Sequence, residues 1–126
     1  MTTEKPTIFI ISDELLQNYP MDIKTLEPIV KETLAVKGYN FVDTKSNADY
    51  IIYINANTTT GSQYQGIYFA FLDINFSIKE TLSGEEIYKT HLDQVKGGGG
   101  DYKRAGKKAY ILGAEELKES ILSSGF

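Results

Sequence analysis

The sequence predicts an α+β two-layer α/β sandwich, in which two main helices pack on a five-stranded mixed sheet in the order β-α-β-β-β-β-α. Three observations carry that prediction. Short runs rich in β-branched and aromatic residues recur along the chain, a long arm from Ile67 alternates apolar and polar residues, and two segments repeat their apolar positions at helical spacing. At 126 residues, 41% of them hydrophobic, the chain is long enough to bury one core without staples, so 1–126 reads as a single α/β domain. Tyrosine outnumbers phenylalanine, nine to six, which suits half-exposed strands whose rings are covered while the hydroxyls stay wet.

The first strand is TIFIIS, 7–12, almost continuously apolar as a strand covered on both faces would be. The stretch SDELLQNYPMD, punctuated by Asn18, Pro20 and Asp22, reads as a connection. Leu26, Ile29, Val30 and Leu34 then place a helix over 23–37, with Gly38 just past its end. Pro28 requires either that regular helix begins near Glu27 or that the first turns are kinked. YNFVD, 39–43, completes a right-handed β-α-β unit, and YIIYINANT from Tyr50 is the third strand. The polar stretch 58–66 reads as a flexible surface loop.

In the fourth strand Tyr68, Ala70, Leu72, Ile74, Phe76 and Ile78 share one face, and Asp73, Asn75, Ser77 and Lys79 the other. The turn TLSGEE, with Gly84 at a positive-φ position, leads to a return arm over 85–95. After the glycines, Tyr102, Ala105, Ala109, Leu112, Gly113, Leu117 and Ile121 define the last helix, whose small members permit close approach to the sheet. The expected sheet order is second, first, third, fourth, fifth, with the first three strands parallel and the hairpin antiparallel.

A formal net charge of −4 supplies no field for a phosphate backbone, so no nucleic-acid partner is expected. The absence of cysteine removes disulfide, thiolate and cysteine-metal chemistry. No run approaches the length of a membrane span, and MTTEKPT lacks the pattern of a secretory signal; the chain as given reads as soluble, with 1–6 disordered or left by trimming of a longer protein.

The run KGGGGDYKRAGKK poses the choice between a phosphate cradle and a hinge. Gly97, Gly98, Gly99 and Gly100 with Lys103, Arg104 and Lys107 could surround an anion at a helix start. The run lacks the order of the known phosphate loops, however, and Asp101 stands where a helix-capping carboxylate would occupy the same amides, so the hinge is the favoured reading. Lys103, Arg104, Lys107 and Lys108 crowd the first half of the last helix and Glu115, Glu116 and Glu119 the second, against the macrodipole. Either Asp93, Glu85 and Glu86 neutralise the basic run internally, or an acidic partner does, such as the glutamate-rich end of another copy.

His91 beside Asp93 reads as a surface pair without a nucleophile, and Glu85 with Glu86 and Asp13 with Glu14 point to opposite strand faces. Catalytic residues, metal ligands and cofactors are therefore not expected. Ile67, Phe69 and Phe71, with Tyr64 in the adjoining loop, form an apolar patch at one end of the fourth strand, a candidate protein-binding surface. Edge strands offer a further route to self-association.

In NADYIIYI, FAFLDINFSIKETLSGEEIYKTHLDQVKGGGG and DYKRAGKKAYILGAEEL the chain resembles a bacterial envelope superfamily. Its members include the amino-terminal part of the TolB translocation protein, the periplasmic domain of the curli secretion lipoprotein, the flagellar accessory protein FlgT and lipoproteins that activate penicillin-binding proteins. The likeness covers most of the chain after Gly38; Ser83, Gly84 and Glu85 stand where the family often has Thr-Gly-Glu, and the signal peptide and lipid-attachment cysteine are missing. The resemblance implies a non-enzymatic docking or assembly module, periplasmic or associated with the outer membrane if the chain is an excised domain, and cytoplasmic otherwise. Contact with the membrane would come only through the missing anchor.

Overall fold

The computed structural model of the protein describes residues 6–126; the expectation for 1–6 falls, apart from Pro6, outside them. In chain order the elements are β1 (Thr7–Leu16), β2 (Tyr19–Pro20), α1 (Leu26–Val36), β3 (Asn40–Phe41), a 3-10 turn (Lys45–Asn47), β4 (Tyr50–Tyr64), β5 (Ile67–Glu80), β6 (Glu86–Gly99) and α2 (Tyr102–Ser123). The sheet runs β2-β1-β4-β5-β6, with β3 also on β1. Strand β1 is parallel to β3 and β4, while β4–β5 and β5–β6 are antiparallel, which is the expected order and direction with one short strand added.

The added strand, β2, corrects the reading of 13–22 as a plain connection. β1 continues through Asp13 and Glu14, and Gln17 and Asn18, at φ 50° and 71°, form a two-residue turn that brings Tyr19 opposite Leu16. Two successive left-handed residues match the twist of a hairpin, and asparagine tolerates that conformation better than most residues. The flexible loop predicted over 58–66 is also corrected. β4 extends to Tyr64, and Gln65 and Gly66, at φ 50° and 80°, turn the chain into Ile67. The hydroxyl and amide side chains there mark an exposed hairpin end interrupted by a bulge between Thr60 and Gln63. The strand expected over 39–43 contracts to two residues.

α1 begins at Leu26, so Pro28 lies in the first turn, where a missing N–H is tolerated. Its start is capped from a distance. Thr25 has αR backbone angles and makes no side-chain cap. Instead the Glu14 carboxylate, 2% exposed, accepts the amides of Thr25 (2.7 Å), Leu26 (2.6 Å) and Glu27 (3.0 Å), and the Ser12 hydroxyl (2.9 Å). One buried strand carboxylate thereby satisfies the N–H groups that helix geometry leaves unpaired and sits at the positive end of the dipole. At the other end Gly38, at φ 102°, provides the left-handed residue that stops the helix.

α2 begins at Asp101, whose Oδ1 accepts the Arg104 amide at 2.7 Å, the cap expected from sequence. The glycines preceding it are not a hinge. Gly97, Gly98 and Gly99 belong to β6 and pair with Ala70, Phe69 and Tyr68. A Cβ on Gly97 would strike the backbone of Ala105 and Ala109, and one on Gly99 would lie 2.9 Å from the Ala105 nitrogen. The glycines and the small residues of α2 thus bring helix and strand together at backbone distance. Behind that contact Ile8, Ile52, Ile54, Leu72, Ile74, Phe76 and Ile78 on the sheet meet Leu26, Val30 and Leu34 of α1 and Tyr110, Leu117 and Ile121 of α2. Both helices therefore cover the same sheet face, the one predicted from the alternation of β5.

Candidate functional site

Because side chains alternate along strands, covering one face of a sheet leaves the odd-numbered positions of β1, β4 and β5 on the other. Here that second face carries no helix. The register lays Phe9 beside Ile51 and Ile11 beside Tyr53 at one end. Asn55, Asn57, Asp73, Asn75 and His91 follow as a polar belt, and Phe71, Phe69 and Ile67 occupy the far end. The apolar run of β1, expected to be covered on both faces, is covered by helices on one side only, and so is that of β4. Phe9, Ile11, Tyr53, Phe69 and Phe71 remain half-buried on the open side.

The four residues singled out for protein binding meet in space. Tyr64 pairs with Ile67 beside the hairpin turn, 65% and 47% exposed respectively. The Phe69 ring lies beside the position a Gly98 Cβ would take and carries the Lys96 ammonium 4.2 Å from its centroid. The Phe71 edge fills the space above Gly61, 2.6 Å from where a Cβ would stand. These side chains stand on the paired strands of a hairpin, not beside a loop.

The alternative anion residues are arranged differently. Gly97–Gly99 are held in a strand, where successive N–H groups point to opposite sides rather than converging as a phosphate cradle requires. Gly100 follows the strand, and the Arg104 amide is occupied by Asp101, whose Oδ2 also stands 3.8 Å from Arg104 Nε. Lys103 and Lys107 are exposed and line a groove of about 430 Å³ with Leu16, Tyr19, Met21 and Ile23. Asp93, Glu85 and Glu86, the expected internal counterions, form no ion pair with this basic run among the described residues, which corrects the intramolecular reading. They lie on or beside β6, across the sheet from the groove.

In the polar belt His91 Nδ1 is 2.7 Å from Asn75 Oδ1, and its Nε2 is 3.8 Å from Asp93 Oδ1. Asp73 Oδ1 accepts the Gln94 amide at 2.9 Å across a bulge where Gln94 has φ 54°. That backbone bond, followed by contacts with the Asp93 and Gln94 side chains and the His91 ring, holds the Asp73 carboxyl below the ordinary aspartate range despite opposing desolvation. Asp73, His91 and Asp93 each offer a ligand atom within 4.8 Å of the others, the one such cluster of histidine and carboxylate side chains among the described residues. The sequence reading found the His91–Asp93 pair but not Asp73, which a one-residue bulge aligns with it. It also missed Glu14, whose signal was a carboxylate alternating with Ser12 on the inner face of a strand and a proline early in the following helix.

No helix among the described residues is long and apolar enough to cross a membrane. No family model matches the sequence, and no curated protein matches it. Solved structures do match. Lipoprotein GNA1162 from Neisseria meningitidis aligns over 91% of this chain and 98% of its own at 13% identity and a TM-score of 0.54. The PelC dodecamer from Paraburkholderia phytofirmans aligns over 90% and 87% at 16% identity and a TM-score of 0.53. A minor lipoprotein from Acinetobacter baumannii aligns over 95% and 90% at 14% identity and a TM-score of 0.52. The chain thus has an α/β fold found in bacterial lipoproteins, in agreement with the resemblance in its sequence.

Proposed function

We propose that residues 1–126 form a non-enzymatic protein-binding or assembly module of a bacterial cell-envelope protein, acting in the periplasm or at the outer membrane. The observation that carries this reading is the helix-free sheet face, where Tyr64, Ile67, Phe69 and Phe71 present adjacent aromatic and aliphatic surface on one hairpin. Clustered apolar side chains rimmed by polar groups are what protein contacts use, and aromatic anchors supply most of their energy. The PelC structure is a dodecamer, which supports reading the shared fold as one that can assemble. The alternative, an anion- or nucleotide-binding protein using Gly97–Gly100, Lys103, Arg104 and Lys107, has the extended glycines and the Asp101 cap against it.

A photo-crosslinking residue at position 69, introduced in the cell of origin, is expected to give a discrete protein adduct. The same residue at position 82, where Leu82 is 98% exposed and remote from the patch, is expected to give none. Equal labelling from both positions, or saturable amide shifts at Gly97–Gly100 on adding phosphate or nucleotide, would replace this reading with the alternative.

A further inference from the structure

We propose that copies of this chain associate head to tail, the basic groove beside β2 of one copy receiving the acidic edge along β6 and α2 of the next. The inference rests on the assembly reading and names the partner as a second copy. It starts from charges that the fold separates without neutralising. Lys103 and Lys107 are one turn apart on α2, face the same groove, and make no ion pair among the described residues. Like charges at that spacing near a helix N-terminus are unfavourable twice over, through each other and through the dipole. The groove's single carboxylate, Asp22, leaves it net positive, and its walls include the exposed apolar side chains of Tyr19 and Ile23.

The complementary surface lies at the opposite edge of the sheet. There Asp93 on β6 and Glu115, Glu116 and Glu119 on α2 line a depression with Val95 and Leu112, and Lys96 is its one cation. Glu116 and Glu119 continue into an adjoining depression with Tyr88 and Leu92. None of these three glutamates has an ion-pair partner among the described residues. Each surface therefore combines uncompensated charge of one sign with apolar side chains, and the signs are opposite. In the order β2-β1-β4-β5-β6 the two surfaces occupy the two ends. A single copy cannot bring them together, whereas two copies placed side by side can. One such contact leaves a basic groove free on one copy and an acidic edge free on the other, so the association is heterologous and continues into a ring or a filament rather than stopping at a two-fold dimer.

The test is sedimentation velocity of the full chain over a concentration series at low ionic strength and again at about 0.5 M salt, where the screening length is a few ångströms. The wild type is expected to grow beyond a dimer with concentration and to dissociate in salt. Lys103→Glu with Lys107→Glu, and separately Glu116→Lys with Glu119→Lys, all at exposed positions, are each expected to weaken association at least about tenfold, because opposed like charges at a contact are strongly unfavourable. Both variants should keep the wild-type circular dichroism spectrum. An equimolar mixture is expected to recover association, since each reversed surface then meets its complement. A wild type that stays monomeric, a salt-insensitive dimer, or a mixture no larger than its components would overturn the inference. Any of these outcomes leaves the crosslinking at position 69 unaffected, so the two proposals fail separately.

Discussion

Replacing Glu14 with alanine is expected to uncouple α1 from the sheet. The carboxylate is the acceptor for the amides of Thr25, Leu26 and Glu27, and Pro28 contributes no N–H, so no other side chain serves the first turn. The Leu26 amide is buried; losing a charged hydrogen bond there costs about 1.5–3 kcal/mol. The Thr25 and Glu27 amides are part-buried and recover water, so together they add the loss of an ordinary cap, about 1–2 kcal/mol. The total of about 2.5–5 kcal/mol is a large share of the roughly 5–15 kcal/mol that stabilises a domain. Glu14→Gln keeps one acceptor oxygen but turns an NH₂ toward backbone donors, and about 1.5–3 kcal/mol is expected. Urea denaturation followed by circular dichroism measures both, with the slope m unchanged if unfolding stays two-state. Thr25→Asp should restore little in the alanine background, because residue 25 has αR angles and the third helical position is proline. A Glu14→Ala midpoint equivalent to less than about 1 kcal/mol, within the range of ordinary surface substitutions, would refute distant capping.

Two further outcomes follow from the packing of α2. Gly97→Ala is expected to lose at least about 2 kcal/mol in the same denaturation assay, because the new methyl meets helix backbone that cannot rotate away. Gly98→Ala, whose Cβ faces the open side at 3.4 Å from the Phe69 ring, should be neutral or gain up to about 1 kcal/mol; equal losses at both positions would contradict the helix-facing role of Gly97. Tyr110 is fully buried and donates to the Leu15 carbonyl at 2.7 Å; burial first, and the Glu14 charge second, push its pKa well above the usual tyrosine value. The folded state therefore holds this proton more tightly than the unfolded chain. Its contribution is complete below pH about 10 and is lost as pH rises toward the folded value. Melts at pH 9–11 should show a steeper decline for the wild type than for Tyr110→Phe, which itself costs about 0.5–1.5 kcal/mol at neutral pH; parallel declines would remove Tyr110 from the alkaline transition.

The local periodicities determined much of this protein. Alternation in β5 identified its core face, small residues four apart marked α2 as a close-packing helix, Asp101 announced its cap, and the strand order followed from one β-α-β crossover and a hairpin. These are properties of neighbouring residues, and a sequence displays them directly. Tertiary structure alone decided which polar stretches were strands: 58–66 carries no apolar period because Thr58 is its one buried residue, and pairing with β5 holds Thr59, Thr60, Gln63 and Tyr64 in the strand while their side chains stay exposed. It also decided that Gly97–Gly99 are strand residues and not a hinge, because the reason for a missing Cβ is the helix opposite. Glu14 and Asp73 were unreadable for the same reason. A carboxylate shows its type in the sequence but not its donors, and here those donors lie in other elements, across a helix start and across a bulge.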